Sequence, residues 1–130
     1  MSNLQNKGNF MARILIIDDS ILMRRKLNHM LTQIGHNVAG EAANGEEGFD
    51  KYKELLPDLV TMDIKMPNMT GIESIEKIVN SFPNAKIIVI SVINEKMMTF
   101  DALEKGAKHY IFKPVSIENL ASVINQVLNQ

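Results

Sequence analysis

Apolar positions along the chain form short continuous runs that alternate with longer stretches of helical spacing. Five runs, most of them rich in β-branched residues, are typical of strands and lie at residues 13–17, 38–41, 59–62, 87–90 and 110–112. After each run, apolar residues recur every three or four positions, as they do on the buried face of a helix. The pattern therefore predicts five strand–helix units in succession.

The predicted strands are largely apolar on both faces, which favours a parallel sheet covered by helices on each side. We therefore expect an α/β fold with a doubly wound, five-stranded parallel sheet. One domain would fill residues 12–130, after a flexible N-terminal tail at residues 1–11. The fourth helix is predicted at residues 94–105, and Gly106 is expected to end it.

Composition and charge exclude several classes of function. The 130 residues carry a formal net charge of −1, with a pI near 6.3, which gives no electrostatic reason to bind nucleic acid or an anionic membrane. The absence of cysteine excludes disulfides, thiol catalysis and thiolate metal sites. No apolar stretch approaches the ~18 residues of a membrane span, and the polar N-terminus does not resemble a secretory signal. We expect a cytoplasmic protein.

Polar side chains follow four of the five predicted strands, at the edge of the sheet where sites form in this fold. Asp18 and Asp19 follow the first strand, and Asp63 follows the third. Ser91 follows the fourth strand, and Lys113 follows the fifth. Because parallel strands end at one edge of the sheet, we expect these side chains to lie together.

The two adjacent carboxylates have two interpretations. Asp18 or Ser20 could simply cap the helix that follows. One cap does not explain Asp19 as well, or a third carboxylate at Asp63, because carboxylates about 5 Å apart repel by roughly 3 kcal/mol at an effective dielectric constant near 20. A cation would relieve the repulsion, and oxygen ligands without His or Cys favour Mg²⁺, with Mn²⁺ able to substitute.

Asp63 also has two interpretations. It begins a loop of turn-forming residues, where a carboxylate commonly stabilises a turn. Beside a divalent cation, a Ser91 hydroxyl and a Lys113 ammonium, however, its carboxylate is suited to act as a nucleophile toward phosphorus. The bond between Lys113 and Pro114 could be cis, which could help turn the lysine inward.

Together these motifs resemble bacterial response-regulator receiver domains, and most closely the single-domain, CheY-like members. The resemblance spans residues 12–129 and rests on motifs at residues 16–20, 63–71, 91, 106–110 and 113–114. It implies the strand order 2-1-3-4-5. It also implies that a sensor histidine kinase or phosphotransfer protein supplies a phosphoryl group from a phosphohistidine.

The resemblance further implies a role for individual residues. Asp63 would be phosphorylated, and Ser91 and Lys113 would assist the transfer. Ser91 and Tyr110 would form the switch that reports phosphorylation. The ligands of Mg²⁺ would be three carboxylates and one backbone carbonyl: Asp19 and Asp63 directly, Asp18 through water, and Lys65 through its carbonyl oxygen. No other cofactor is implied.

The implied function is that of a signalling switch and not of a metabolic enzyme. The protein would catalyse its own phosphorylation and slow dephosphorylation. Phosphorylation would reshape the surface formed by the fourth helix, fifth strand and fifth helix, where a downstream protein binds. We expect a monomer without an output domain, because the sequence ends with the fifth helix. A chemotaxis regulator, a phosphorelay carrier and a fragment of a longer regulator all stay open.

Other classes of protein fit the sequence less well. A flavodoxin-type protein would need a Ser/Thr- and Gly-rich phosphate loop at residues 18–21, and a dinucleotide-binding domain would need G-x-G-x-x-G there. A dehalogenase-like phosphatase would carry its nucleophile after the first strand. A phosphotransfer protein would need a reactive histidine, whereas the three histidines are expected at surface or helix-end positions away from the acidic residues. A scaffold of the same fold would not need all five polar residues.

One side of the predicted site departs from the usual family pattern. Val92 stands where the family usually has a very small residue, and Lys65 and Ile93 flank the same opening. A branched side chain should narrow access to an acyl phosphate, so Val92→Ala is expected to change the rate of phosphoryl loss or of phosphatase action. Identical decay curves for the two proteins would contradict this.

Residues 97–100 cannot all face inward on a helix, so part of this run should be exposed.

Overall fold

A computed structural model describes residues 11–130, so the predicted tail lies almost wholly outside the described part of the chain. The strands are β1 (Arg13–Ile17), β2 (Asn37–Ala42), β3 (Leu59–Asp63), β4 (Ile87–Ser91) and β5 (His109–Phe112). The α-helices are α1 (Ile21–Ile34), α2 (Gly45–Leu55), α3 (Gly71–Ser81), α4 (Lys96–Glu104) and α5 (Ile117–Leu128). A 3₁₀ turn, Ile93–Glu95, leads directly into α4. Among these elements, every helix is too short or too polar to span a membrane.

The strands form one parallel sheet in the order β2-β1-β3-β4-β5, which confirms the predicted fold class and strand order. The strand order reverses at β1, because the chain passes from β2 on one side of it to β3 on the other. The central strands are buried along nearly their whole length, whereas the edge strands β2 and β5 are only partly buried. The switch point therefore lies between β1 and β3, whose carboxyl ends carry the acidic residues.

Alternate residues of the strands face two separate apolar layers. Leu15 and Ile17 of β1 pack in the layer under α2, α3 and α4, to which these helices contribute Phe49, Tyr52, Ile75, Ile78 and Ala102. Ile14 and Ile16 face the opposite layer, which α1 and α5 cover with Leu27, Leu31, Leu120, Val123, Ile124 and Val127. Burying each such large side chain contributes about 1.5–3 kcal/mol, so the two layers hold the strand ends in fixed relative positions.

Side-chain caps fix where two helices begin beside the carboxyl edge of the sheet. The Ser20 hydroxyl accepts a hydrogen bond from the Met23 N–H and caps α1. Thr70 caps α3, and Glu73 completes a reciprocal capping box. Gly106 follows α4 in the left-handed conformation, with φ at +126°, as predicted for the residue that ends this helix.

One histidine, His36, is buried. His36 lies just after α1, at a helix end as expected, and its Nδ1 accepts a hydrogen bond from the Ala12 N–H at 3.1 Å. Burial lowers the pKa of His36, which favours the neutral ring that can accept this bond. The ring therefore has a packing role at the end of β1 opposite to Asp18.

Candidate functional site

Three carboxylates meet at the carboxyl edge of the sheet. Asp18 and Asp19 follow β1, and Asp63 is the last residue of β3, which pairs with β1. One carboxylate oxygen from each residue lies within 4.8 Å of the other two. Asp18 and Asp63 are buried, whereas Asp19 is exposed. The structure therefore brings together the three acidic residues predicted to hold a metal ion.

Burial is the main cause that raises the pKa of two carboxylates of this cluster, Asp18 and Asp63. Burial is the main cause that raises the pKa of Asp63 to about 7, the charge of Asp18 raises it further, and the Lys113 ammonium lowers it. Burial also raises the pKa of Asp18, against a hydrogen bond from the Ser20 N–H that lowers it. A bound cation would favour the charged carboxylates in place of protons. The donor set is acidic, partly buried and made of oxygen atoms, which fits a hard divalent cation such as Mg²⁺.

The hydrogen bonds around Asp18 and Ser20 show which of these residues caps α1. Ser20 caps α1, and its N–H donates to Asp18 Oδ1 at 2.9 Å. The cap interpretation of the sequence therefore accounts for Ser20 and for one oxygen of Asp18, and it leaves Asp19 unexplained. Arg24, which the sequence reading did not single out, donates to the Asp18 carbonyl oxygen at 2.7 Å and pairs with Glu41 at 3.0 Å. This arginine holds the backbone that carries the acidic pair.

The predicted hydroxyl residue, Ser91, ends β4, and the predicted basic residue, Lys113, directly follows β5. The Nζ of Lys113 is 3.8 Å from Asp63 Oδ1, so the positively charged ammonium group of this lysine faces the carboxylate. Ser91, the last residue of β4, is fully buried, and its carbonyl accepts a hydrogen bond from the Lys113 N–H at 2.7 Å. The peptide bond between Lys113 and Pro114 is cis. Lys113 and Ser91 therefore lie at the same edge of the sheet as the three carboxylates.

The loop after Asp63 is held against the strand at Gly71. The Gly71 N–H donates to the Ile64 carbonyl oxygen at 2.8 Å, and a Cβ on Gly71 would overlap the Asp63 carbonyl oxygen. A side chain at position 71 would therefore displace the Asp63 backbone. Asn68 adopts the left-handed conformation within the loop, with φ at +70°. The loop closes through these residues and leaves the Asp63 carboxylate free to face Lys113.

Glu95 links the two loops on the predicted open side of the site. Its carboxylate accepts a hydrogen bond from the Val92 N–H at 3.2 Å and lies 3.9 Å from the Lys65 ammonium. The Lys65 side chain is largely exposed, so this ion pair contributes little to stability. Val92 and Ile93 are 37% and 61% exposed, so the branched side chains expected at the opening do lie on the surface.

Tyr110, the predicted switch aromatic, lies on β5 among other aromatic rings. Its ring contacts Phe100 of α4 edge-on, with centroids 6.2 Å apart, and Phe112 at 5.0 Å. Met97 and Phe100 are 79% and 43% exposed, which confirms that part of the run at residues 97–100 faces solvent. Tyr110 is therefore packed beside an apolar surface of α4.

The sequence reading missed one residue that contacts Ser91 directly. Thr99 of α4 is fully buried, and its Oγ1 lies 2.7 Å from Ser91 Oγ. The available signal was a single polar residue inside the run Met97-Met98-Thr99-Phe100, of which the sequence predicts only that a part is exposed. Thr99 is the member of that run that faces the site.

Comparison with known proteins agrees with this geometry. The family described as the response regulator receiver domain matches residues 14–125. The chain is 48% identical to the chemotaxis protein CheY of Thermotoga maritima over 115 residues, which cover 88% of this chain and 96% of that protein. It is 43% identical to CheY of Bacillus subtilis, with 90% of this chain and 98% of that protein covered.

Solved structures give the same result. The CheX–CheY complex of Borrelia burgdorferi, crystallised with beryllofluoride and Mg²⁺, matches with a TM-score of 0.86 at 35% identity, covering 93% of this chain and 92% of that chain. The receiver domain of Thermotoga maritima CheB matches with a TM-score of 0.85, also at 35% identity, covering 93% of this chain and 98% of that chain. The chain therefore belongs to the response-regulator receiver family of two-component signalling proteins, as a CheY-like receiver domain.

Proposed function

We propose that the protein is a phosphoacceptor switch in which Asp63 carries the phosphoryl group. The observation that supports this is the setting of the Asp63 carboxylate, which lies 3.8 Å from the Lys113 ammonium and within 4.8 Å of oxygens of Asp18 and Asp19. A turn-forming aspartate needs neither a facing cation nor two further carboxylates. The membership in the receiver family supports the same assignment.

In the proposed reaction, a carboxylate oxygen of Asp63 attacks the phosphorus of a donor phosphohistidine. The P–N bond breaks as the P–O bond of an acyl phosphate forms, and the departing imidazole takes up a proton. Lys113 faces the transferred oxygens with a positive charge, and Ser91 offers its hydroxyl as a hydrogen-bond donor. The protein would catalyse this transfer, and the slow hydrolysis of the product, at its own side chain.

We also propose Mg²⁺ as the cation of the site. When bound, it neutralises negative charge on the carboxylates and on the phosphoryl oxygens. The residues proposed to hold it are Asp19, Asp63, the Lys65 carbonyl and, through water, Asp18. Asp18 and Asp19 thereby acquire a role that capping does not give them.

Binding of Mg²⁺ is expected to displace a proton, because the pKa of Asp63 is about 7. The affinity for Mg²⁺ should therefore rise about tenfold between about pH 6 and about pH 8, as the carboxylate loses its proton. Calorimetric titration with MgCl₂ in two buffers of different ionisation enthalpy measures both effects. Equal heats in the two buffers, together with an affinity that does not change with pH, would contradict this prediction.

The proposed partners are a protein that donates the phosphoryl group and a protein that binds the phosphorylated form. The phosphoryl donor would be a sensor histidine kinase or a phosphotransfer protein, and the target would bind the face formed by α4, β5 and α5. The exposed apolar side chains Met97 and Phe100 beside Tyr110 support that face as a docking surface. The Borrelia burgdorferi relative, solved in complex with CheX, is a CheY that binds another protein. We propose a monomer that acts in the cytoplasm, a location compatible with a chain without cysteine.

Chemical phosphorylation followed by site mapping tests the proposed function. The protein is incubated with acetyl phosphate and Mg²⁺, reduced with borohydride and digested for peptide mass spectrometry. We expect homoserine at position 63, because borohydride reduces an aspartyl phosphate to that residue. Asp50→Asn, which removes an exposed carboxylate of α2, serves as the control and should be labelled normally. Labelling at another carboxylate, or none in the presence of Mg²⁺, would overturn the proposal.

A further inference from the structure

We propose that Thr99 is a positioning residue that holds the Ser91 hydroxyl in the resting protein and sets how readily it is released. This inference rests on the proposed function, because Ser91 is the hydroxyl proposed to contact the phosphoryl group on Asp63. It adds a specific partner for that hydroxyl before phosphorylation. The partner is a side chain on α4, one of the three elements that form the proposed docking face.

The direction of the hydrogen bond between the two hydroxyls follows from their surroundings. The Thr99 hydroxyl donates to the Glu95 carbonyl oxygen at 3.0 Å, and a carbonyl can only accept. A hydroxyl has a single proton, so the 2.7 Å contact with Ser91 must use the Ser91 proton and a lone pair of Thr99. In the resting protein, the proton of Ser91 is therefore committed to α4 and not to the site.

Burial gives this hydrogen bond its importance. Ser91 and Thr99 each have no exposed surface, so neither hydroxyl can exchange its partner for solvent. Valine would fill nearly the same volume as threonine on this face of α4 without a polar atom. The Thr99 hydroxyl is explained by the two contacts it makes, to Glu95 and to Ser91.

Release of Ser91 breaks only one of these contacts. When the Ser91 hydroxyl donates to a phosphoryl oxygen, Thr99 keeps its own bond to the Glu95 carbonyl and loses an accepted proton. Glu95 stays tied to the loop by its carboxylate, which accepts from the Val92 N–H at 3.2 Å. The acceptor at Thr99 thus competes with the phosphoryl group for one proton. Its removal should shift the balance toward the activated arrangement.

Titration with beryllofluoride and Mg²⁺ measures this competition, because beryllofluoride takes the place of the phosphoryl group. Thr99→Val leaves Ser91 with an unpaired proton in the resting protein, and it removes the bond to the Glu95 carbonyl equally from the resting and the occupied states. We expect beryllofluoride to bind about fivefold more tightly, which corresponds to the loss of one hydrogen bond from the resting state. Thr99→Ser restores the acceptor and should bind as the wild type does. Thr99→Ala replaces Thr99→Val if the latter does not fold.

The Ser91→Ala background separates this role from a structural effect of the substitution. Without the Ser91 hydroxyl, Thr99→Val should leave the affinity for beryllofluoride unchanged relative to Ser91→Ala alone. An equal change in both backgrounds, or no change in either, would overturn the role of Thr99 while leaving the proposed function intact. Wild-type protein that binds no beryllofluoride in the presence of Mg²⁺ would overturn the proposed function, and this inference with it.

Discussion

Asp63→Asn is expected to abolish phosphorylation and also to raise the melting temperature of the protein without Mg²⁺. The asparagine has no anionic oxygen to attack phosphorus, so labelling by acetyl phosphate should fall by more than about 10³-fold. The same substitution removes a buried negative charge whose pKa is raised from 3.8 to about 7. That shift is worth about 2–4 kcal/mol at neutral pH, which corresponds to an increase of roughly 5–10 °C in melting temperature.

The difference in stability between Asp63→Asn and the wild type should depend on pH in a direction that can be predicted. Between pH 3.8 and about 7, the folded protein keeps a proton on Asp63 that the unfolded chain has lost. The contribution of Asp63 to stability therefore falls as the pH rises through this range. The advantage of Asp63→Asn over the wild type should be small near pH 4 and largest above pH 7.

Urea denaturation at several pH values, with EDTA present, measures this difference. Asp50→Asn is the matched control, because it removes an exposed carboxylate and should change the free energy of unfolding by less than about 0.5 kcal/mol. Saturating Mg²⁺ should stabilise the wild type more than Asp63→Asn. A free energy of unfolding of Asp63→Asn equal to that of the wild type across the whole pH range would contradict the prediction.

Lys113→Met is expected to slow phosphorylation by small phosphodonors about 100-fold, in line with the loss of one preorganised charge at a transition state. Lys113 is the cation that faces Asp63, at 3.8 Å, and methionine keeps much of its length without the charge. Because Lys113 also lowers the pKa of Asp63, the variant should need a higher pH to reach half of its maximal rate. Initial rates with acetyl phosphate, measured across a range of pH, give both quantities.

Lys53→Met provides the control for this substitution. Lys53 is an exposed lysine of α2 that lies over the Phe49 ring, so its replacement should leave the phosphorylation rate within about twofold of the wild type. A rate for Lys113→Met that is also within twofold of the wild type would show that this cation does not assist the transfer.

The arrangement of the strands and of the acidic cluster was predictable from the sequence for a physical reason. Fully buried parallel strands such as β3 and β4 produce runs of mostly apolar residues, and the carboxylate or hydroxyl residue that ends each run marks its carboxyl end. Asp63 and Ser91 could therefore be assigned to one edge of the sheet without knowledge of any contact. The cis bond before Pro114 was considered on the same ground of local chemistry and is present.

Contacts between distant parts of the chain were not predictable in this way. Thr99 could not be singled out from the sequence, because the 3₁₀ turn Ile93–Glu95 precedes α4 and the orientation of the helix after that turn decides which residue faces the sheet. His36 is buried, and its Nδ1 has a partner in the N–H of Ala12, a residue 24 positions earlier in the sequence. In both cases a buried polar atom has a hydrogen-bond partner that the local pattern does not reveal.

The close packing of Gly71 on the Asp63 backbone makes one side of the site more tightly packed than the other. On one side, Gly71 lies so close to the Asp63 backbone that a Cβ would overlap the Asp63 carbonyl oxygen. On the other side, the side chains of Val92 and Ile93 are exposed to solvent. A phosphoryl group added at Asp63 should therefore displace residues 92–93, which precede α4, more readily than the loop that Gly71 holds against the strand.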